Sequence, residues 1–259
     1  MSIIIKDLDD TIISFMELPE CVGLMQTNNY YYCKIKLMTL IVEWNKMKNM
    51  EGTITKIFDF TCRLGFITYA KSLITRYKIV VNILLFKNIC ENGQLETAKW
   101  LYHHLLKRYG DIIFTFDTFI KIMFKKTCIE GHLETAKWLI NIYNKKIDIH
   151  EDDNDLFLLM CFYGHLEIAK WLIDLGENYG HGKIDIHAYY DMAFNICCEN
   201  NKLDVAKWLI DLGENHGYGK INIHNNNNNA FRMSCQGGHS NISKWLIDLE
   251  QNHGYGKFD

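Results

Sequence analysis

A chain of 259 residues in which 48 % are hydrophobic and 23 % charged carries enough apolar side chains to fold, and a formal net charge of -3 argues against a nucleic-acid or membrane surface. The N-terminal Met1-Ser2-Ile3-Ile4-Ile5-Lys6-Asp7 breaks its apolar run too early for a signal peptide, and the longest apolar run, Ile79 to Phe86, is far shorter than a membrane span. These readings predict a soluble, cytoplasmic, monomeric protein.

Residues 1 to about 50 show no repeat. Asp10 or Thr11 can cap a short helix with Ile12, Phe15 and Met16 on one side, Leu18-Pro19 stops it, and a second short helix follows from Glu20. This layout resembles the F-box, a helical segment that docks on the adaptor subunit of cullin-type ubiquitin ligases. The resemblance implies adaptor contacts from Leu8, Ile12, Phe15, Leu18 and Pro19, although the usual Leu-Pro opening is here Leu8-Asp9. The other reading of the same residues is an apolar cap over the first repeat.

From residue 51 the chain repeats. Gly131-His132-Leu133-Glu134-Thr135-Ala136-Lys137-Trp138-Leu139-Ile140 has relatives beginning at Gly93, Gly164, Asn201 and Gly238, at steps of 38, 33, 37 and 37 residues. That period marks a solenoid of one supersecondary unit per repeat. A degenerate first unit carries Phe58, Cys62, Gly65, Ala70 and Leu73, with Ser72 in place of Trp. Phe58, Phe86, Phe124, Phe157, Phe194 and Phe231 all stand seven residues before the glycine position, and Cys62, Cys90, Cys128, Cys161, Cys198 and Cys235 three before it.

The spacing of Phe194, Cys197 and Cys198 predicts one face of a first helix. Glycine after it suits a left-handed C-terminal residue, and Asn201 is the substitute that best tolerates that conformation. Leu133, Ala136, Leu139 and Ile140 then predict a second, antiparallel amphipathic helix. Trp138 lies off the centre of that stripe, where a large flat ring suits the seam between successive repeats. One cysteine per repeat reads as a buried small hydrophobe rather than a ligand set.

Between repeats come Lys146-Ile147-Asp148-Ile149-His150, Lys183-Ile184-Asp185-Ile186-His187 and Lys220-Ile221-Asn222-Ile223-His224, whose alternation predicts short extended arms. A helix pair closed by Gly-His-Leu-Glu-x-Ala-Lys-x-Leu-Ile and followed by x-Ile-Asp-Ile-His resembles the ankyrin repeat. The Cys and Trp variant, with its Asn- and Ile-rich wording, is most similar to ankyrin proteins of giant amoeba-infecting DNA viruses. The resemblance spans roughly residues 51 to 259 and implies an all-α solenoid of about six stacked antiparallel helix pairs with short hairpin fingers, the first degenerate and the last a cap. The usual Thr-Pro-Leu-His start of the first helix is missing, being Asp155-Leu156-Phe157-Leu158 and Met192-Ala193-Phe194-Asn195 in two clear copies. This leaves the hydrogen bonds of that motif without their usual residues.

Gly182-Lys183 fails as a phosphate-binding loop, because Ile184 stands where a magnesium-binding Ser or Thr is needed and the loop wording is itself repeated. His150, His187 and His224 occupy equivalent positions about 10 Å apart in stacked repeats, too far for a metal site. No cofactor, metal or catalytic constellation is expected. The ankyrin resemblance implies a non-enzymatic protein-binding groove, made first by the finger residues Glu151, Asp152, Asp153, Ala188, Tyr189, Tyr190, Asn225 and Asn226. Phe162, Tyr163, Glu199 and Asn200, just before the turn, complete it. The partner implied is a protein, of the host for a viral chain, and the F-box resemblance adds the ubiquitin-ligase adaptor.

Overall fold

Each repeat folds as the helical wording requires. The computed structural model describes residues 50–110, 117–143, 149, 151–178 and 182–255. The F-box-like residues Leu8, Ile12, Phe15, Leu18 and Pro19 lie outside them. The chain divides into two units, one ending at Thr115 and the other beginning at Phe116. In the first, α1 (Met50–Arg63), α2 (Ile67–Tyr77), α3 (Ile83–Glu91) and α4 (Leu95–Tyr109) form two helix pairs. In the second, α5 (Asp117–Ile129) pairs with α6 (Leu133–Ile142) and α7 (Glu151–Tyr163) with α8 (Leu166–Asn178). There α9 (Ala188–Glu199) likewise pairs with α10 (Leu203–Asn215), and α11 (Asn225–Gln236) with α12 (Ser240–Asn252).

The first helices stack on one another: α1 packs on α3 in the first unit, and α5 on α7, α7 on α9 and α9 on α11 in the second. Among the described residues helices are the only regular secondary structure, so the arms are extended segments ending in a turn, without a β-ladder. Their alternation still holds. Ile184, Ile186, Ile221 and Ile223 are buried while Lys183, Asp185, Lys220 and Asn222 face solvent.

The turn inside each pair follows from the position of its glycine. Gly131 takes φ 84°, and the His132 N–H reaches back to the Thr127 carbonyl at 3.1 Å, closing the last turn of α5 in a Schellman arrangement. Asn201, at φ 58°, fills the same role, with Lys202 N–H bonding to the Cys197 carbonyl at 2.8 Å. A second constraint acts on the same glycines. A Cβ at Gly131 would lie 2.7 Å from the His165 ring, at Gly164 2.7 Å from the Lys202 side chain, and at Gly65 2.1 Å from the Gln94 amide. The residue after the turn glycine in one repeat thus lies over the turn glycine of the repeat before. His165 uses that position to donate from Nε2 to the Ile129 carbonyl at 2.7 Å, and His239 does the same to Glu199 at 2.9 Å. Both satisfy carbonyls that a helix end leaves without a partner.

The aromatic marker explains the packing. Phe58, Phe86, Phe124, Phe157 and Phe194 are almost completely buried, and the tryptophan of the following repeat closes over four of them. Phe58 meets Trp100 at 6.5 Å between centroids, Phe124 meets Trp171 at 6.1 Å, Phe157 meets Trp208 at 6.3 Å and Phe194 meets Trp245 at 6.1 Å. The tryptophan therefore sits at the seam, as its position off the stripe predicts. The stripe itself is shifted: Leu133 is only half-buried, whereas Thr135, Ile168 and Val205, just before the alanine, and Ile242, before Ser243 in the last copy, are buried.

The cysteine expectation needs one correction. Cys62, Cys90, Cys128, Cys161 and Cys198 are buried, and burial pushes the Cys62 thiol up to about 12, so these are inert hydrophobes. Cys235 is exposed, and Phe231 beside it is only half-buried. Among the described residues no further helix pair follows α12 to cover them, and the packing that hides their counterparts comes from the next repeat.

Two predictions follow from these seams. Phe194→Ala costs about 3–5 kcal/mol in urea unfolding, while Phe231→Ala costs less than half as much. Gly238→Ala, at the same turn position with φ 71° but with open space around it, costs about 1 kcal/mol. Gly131→Ala costs more, because its Cβ also displaces the His165 ring.

Candidate partner-binding surface

Two segments in the second unit leave regular geometry, and both stand where the fingers meet the first helices. Tyr189 (φ 54°, ψ 45°), Tyr190 (φ 61°, ψ 54°) and Asp191 (φ 57°, ψ 38°) make a left-handed turn before the right-handed part of α9 begins. Asn226, Asn227 and Asn228 make the same turn before α11. For L residues this conformation costs about 1–2 kcal/mol each, least for Asn. It must therefore be held from outside.

The hold comes from the arm histidine. His187 Nδ1 meets Asp191 Oδ1 at 2.5 Å and its Nε2 meets the Tyr218 carbonyl at 2.9 Å. The Asp191 carboxylate is buried, and its second oxygen accepts from Asn222 N–H at 3.1 Å and from the Asn225 side-chain amide. One side chain thus ties the Tyr189–Tyr190 turn to the arm and first helix of the following repeat. Burial disfavours the His187 imidazolium, but Asp191, the Tyr218 carbonyl and Asp185 outweigh it and raise its pKa above the ordinary histidine value. His224 repeats the pattern, meeting Asn228 Oδ1 at 2.8 Å and the Tyr255 carbonyl at 2.7 Å. These clips stand in for the missing Thr-Pro-Leu-His bonds.

The glycine-rich loops brace the same arms. A Cβ at Gly176 or Gly213 would lie 2.4 or 2.5 Å from the carbonyl oxygen of Gly182 or Gly219, so each second helix needs glycine where its own loop folds back. Tyr218 then donates to Glu177 at 2.6 Å, and Lys183 Nζ stands 3.8 Å from the centroid of the Tyr218 ring. Tyr255, Glu214 and Lys220 repeat both contacts at the same distances. The repeated wording encodes a lock between successive loops, in which Lys183 and Lys220 lie over rings rather than round a phosphate.

With the backbone held, the tip side chains point outward. Tyr190 is 74 % exposed and Tyr189 49 %. Phe162 and Tyr163 are also exposed and lie edge to face, 5.0 Å between centroids, at the opposite end of the first-helix layer. About eight helical residues separate the tip of α9 from its C-terminal end, so the two aromatic groups lie on the order of 12 Å apart along the helix. The two groups thus stand at opposite ends of the first-helix face to which the sequence reading assigns the groove. Glu199 and Asn226 are exposed and Ala188 is half-buried. Asn200 donates to the Ile196 carbonyl at 2.9 Å, and Asn225 is committed to Asp191 and to Asn222. These two amides therefore serve the fold. Glu151, Asp152 and Asp153 open α7.

Exposure shows a repeat position that the sequence reading missed. Leu84 in the first unit, and Ile122 and Met192 in the second, stand nine residues before the turn position and are 56 %, 48 % and 39 % exposed. Periodicity gave no warning, because an apolar residue one step off a buried face reads as part of the core. The charges are also segregated. Helices α7 and α9 contain Glu151, Asp152, Asp153, Asp155, Asp191 and Glu199 but no lysine or arginine. On the second helices Lys137 pairs with Glu134 and Lys170 with Glu167, each at 2.9 Å.

Among the described residues no three His, Cys, Asp or Glu side chains are grouped to hold a metal ion, and no helix is long and apolar enough to cross a membrane. The loop lock has a measurable share in stability: Tyr218→Phe and Tyr255→Phe should each cost about 0.5–1.5 kcal/mol in urea unfolding. Residues 163–256 match the family model for ankyrin repeats, in three copies. No curated protein and no solved structure matches the chain. The helix pairs, finger arms and family match agree: residues 163–256 carry ankyrin repeats, and the fold is an all-α solenoid of helix pairs.

Proposed function

We propose that the protein is a non-enzymatic interaction scaffold that grips a protein partner along the first-helix face of its ankyrin repeats, with the Tyr189–Tyr190 tip as the anchor. The observation that carries this reading is the exposed tyrosine pair on a backbone held in an unfavourable turn. Large rings already fixed in place bind with little further loss of freedom. Met192 beside the tip, the exposed Glu199 and the absence of lysine and arginine from α9 suit a partner segment bearing lysine or arginine, which can stack on the tyrosines. Residues 51–162 add further helix pairs of the same type, and the resemblance to viral ankyrin proteins favours a cytoplasmic host protein as the partner. Affinity purification from amoebal lysate should recover it with the full chain and with Lys207→Ala on the outer helix. The Tyr189→Ala/Tyr190→Ala chain should lose more than about tenfold of it, as expected when hot-spot rings are removed, and recovery should fall with added salt. Equal recovery by all three chains would remove the tip from the binding site.

A second reading rests on the sequence Leu8 to Pro19: a ubiquitin-ligase substrate receptor whose N-terminal segment holds the adaptor while the repeats hold the target. It predicts that the adaptor copurifies with the full chain and is lost from a chain beginning at Glu51. Absence of the adaptor from both would leave the plain scaffold.

A further inference from the structure

We propose that the Tyr189–Tyr190 tip is gated by pH: protonated His187 locks the left-handed turn that displays the two rings, loss of its proton loosens the turn, and the equivalent turn at Asn226–Asn228 is indifferent. The inference concerns regulation of the surface proposed above and rests on that reading for its biological meaning. Its physical basis is separate. His187 stands between two groups that can only accept, the Asp191 carboxylate at 2.5 Å and the Tyr218 carbonyl at 2.9 Å. Only the imidazolium has two N–H donors to satisfy both. Either neutral tautomer turns a lone pair towards one of the two oxygens.

The surroundings sharpen this dependence. The charges acting on His187 are Asp191, from α9, and Asp185, from its own arm, both negative. The following loop offers the Tyr218 carbonyl, and the following arm and helix reach Asp191 with the uncharged amides of Asn222 and Asn225. Deprotonation therefore removes the countercharge of a carboxylate whose side chain is only 5 % exposed. The His187 side chain itself is 34 % exposed, so it exchanges protons with solvent. Because its pKa is raised above 6.5 in the fold, the stabilisation is complete below that value and is lost as pH rises through the raised one. Three consecutive left-handed residues persist only while their surroundings hold them, so release of the clip falls first on Tyr189 and Tyr190.

The second copy supplies the control. His224 meets the side-chain amide of Asn228 at 2.8 Å where His187 meets a carboxylate. An amide can rotate to present its NH2, so a neutral His224 donates from Nε2 to Tyr255 and accepts from Asn228 at Nδ1. No bond in that clip requires a cation.

Hydrogen exchange of the full chain, followed by mass spectrometry at about pH 5.5 and about pH 8.5 and normalised for intrinsic exchange, tests the gate without any partner. Protection of residues 188–191 should fall about ten- to a hundredfold at the higher pH, the loss expected of one hydrogen bond to a charged group, while 225–228 stay within about twofold. Asp191→Asn should abolish the difference, and Asn228→Asp should create it at 225–228. Equal behaviour of the two segments in the parent chain, or a pH response unmoved by Asn228→Asp, would overturn the proposal. The Asn228→Asp chain decides the matter if Asp191→Asn does not fold. A failed gate leaves partner capture by the tyrosines intact, and failed capture leaves the gate measurable.

Discussion

The interaction on which the rest depends is the closure of each tryptophan over the phenylalanine of the repeat before it. A helix pair of this size cannot bury a phenylalanine by itself; in four seams the ring from one first helix is completed by the indole of the next second helix. The same step recurs at the turn, where His165 and Lys202 cover the glycine behind them. Stability is thus shared between neighbours, and Cys235 is exposed where its counterparts in the other repeats are buried.

The fingers use another kind of coupling. Here the contacts are polar: His187 and Asp191 hold one tip and reach into the next arm, while Tyr218 and Lys183 join successive loops. Apolar seams fix the distance between repeats, and the polar clips fix the direction in which the tips point. A strained tip costs stability, and the surrounding bonds offset it; the result is a pair of tyrosines displayed on a backbone that does not need to reorganise when it is touched.

Much of this was legible in the wording of the chain. The repeat period gave helix pairs, the Phe and Cys markers gave the buried face, Gly and Asn201 gave the turn, and the tryptophan offset gave the seam. Other features were not legible, for definite reasons. Tyrosine has no preference for left-handed backbone, so nothing in Ala188-Tyr189-Tyr190-Asp191 announces its turn; only the asparagines of the next copy hint at it. The second duty of Gly131, clearing space for His165, depends on a residue 34 positions away. Asn225 reads as an exposed amide and proves to be bound to Asp191, because hydrogen bonds between repeats leave no local signature. Leu84, Ile122 and Met192 look like core residues until their exposure is seen.

The central claim is that the first-helix face, led by Tyr190, is the binding surface. Site-specific photocrosslinking tests it most directly, with a benzophenone amino acid placed at position 190 in one full-length chain and at position 207, on the outer second helix, in another. The account predicts one protein adduct from position 190 that position 207 does not yield. The same adduct from position 207 and none from position 190 would contradict it.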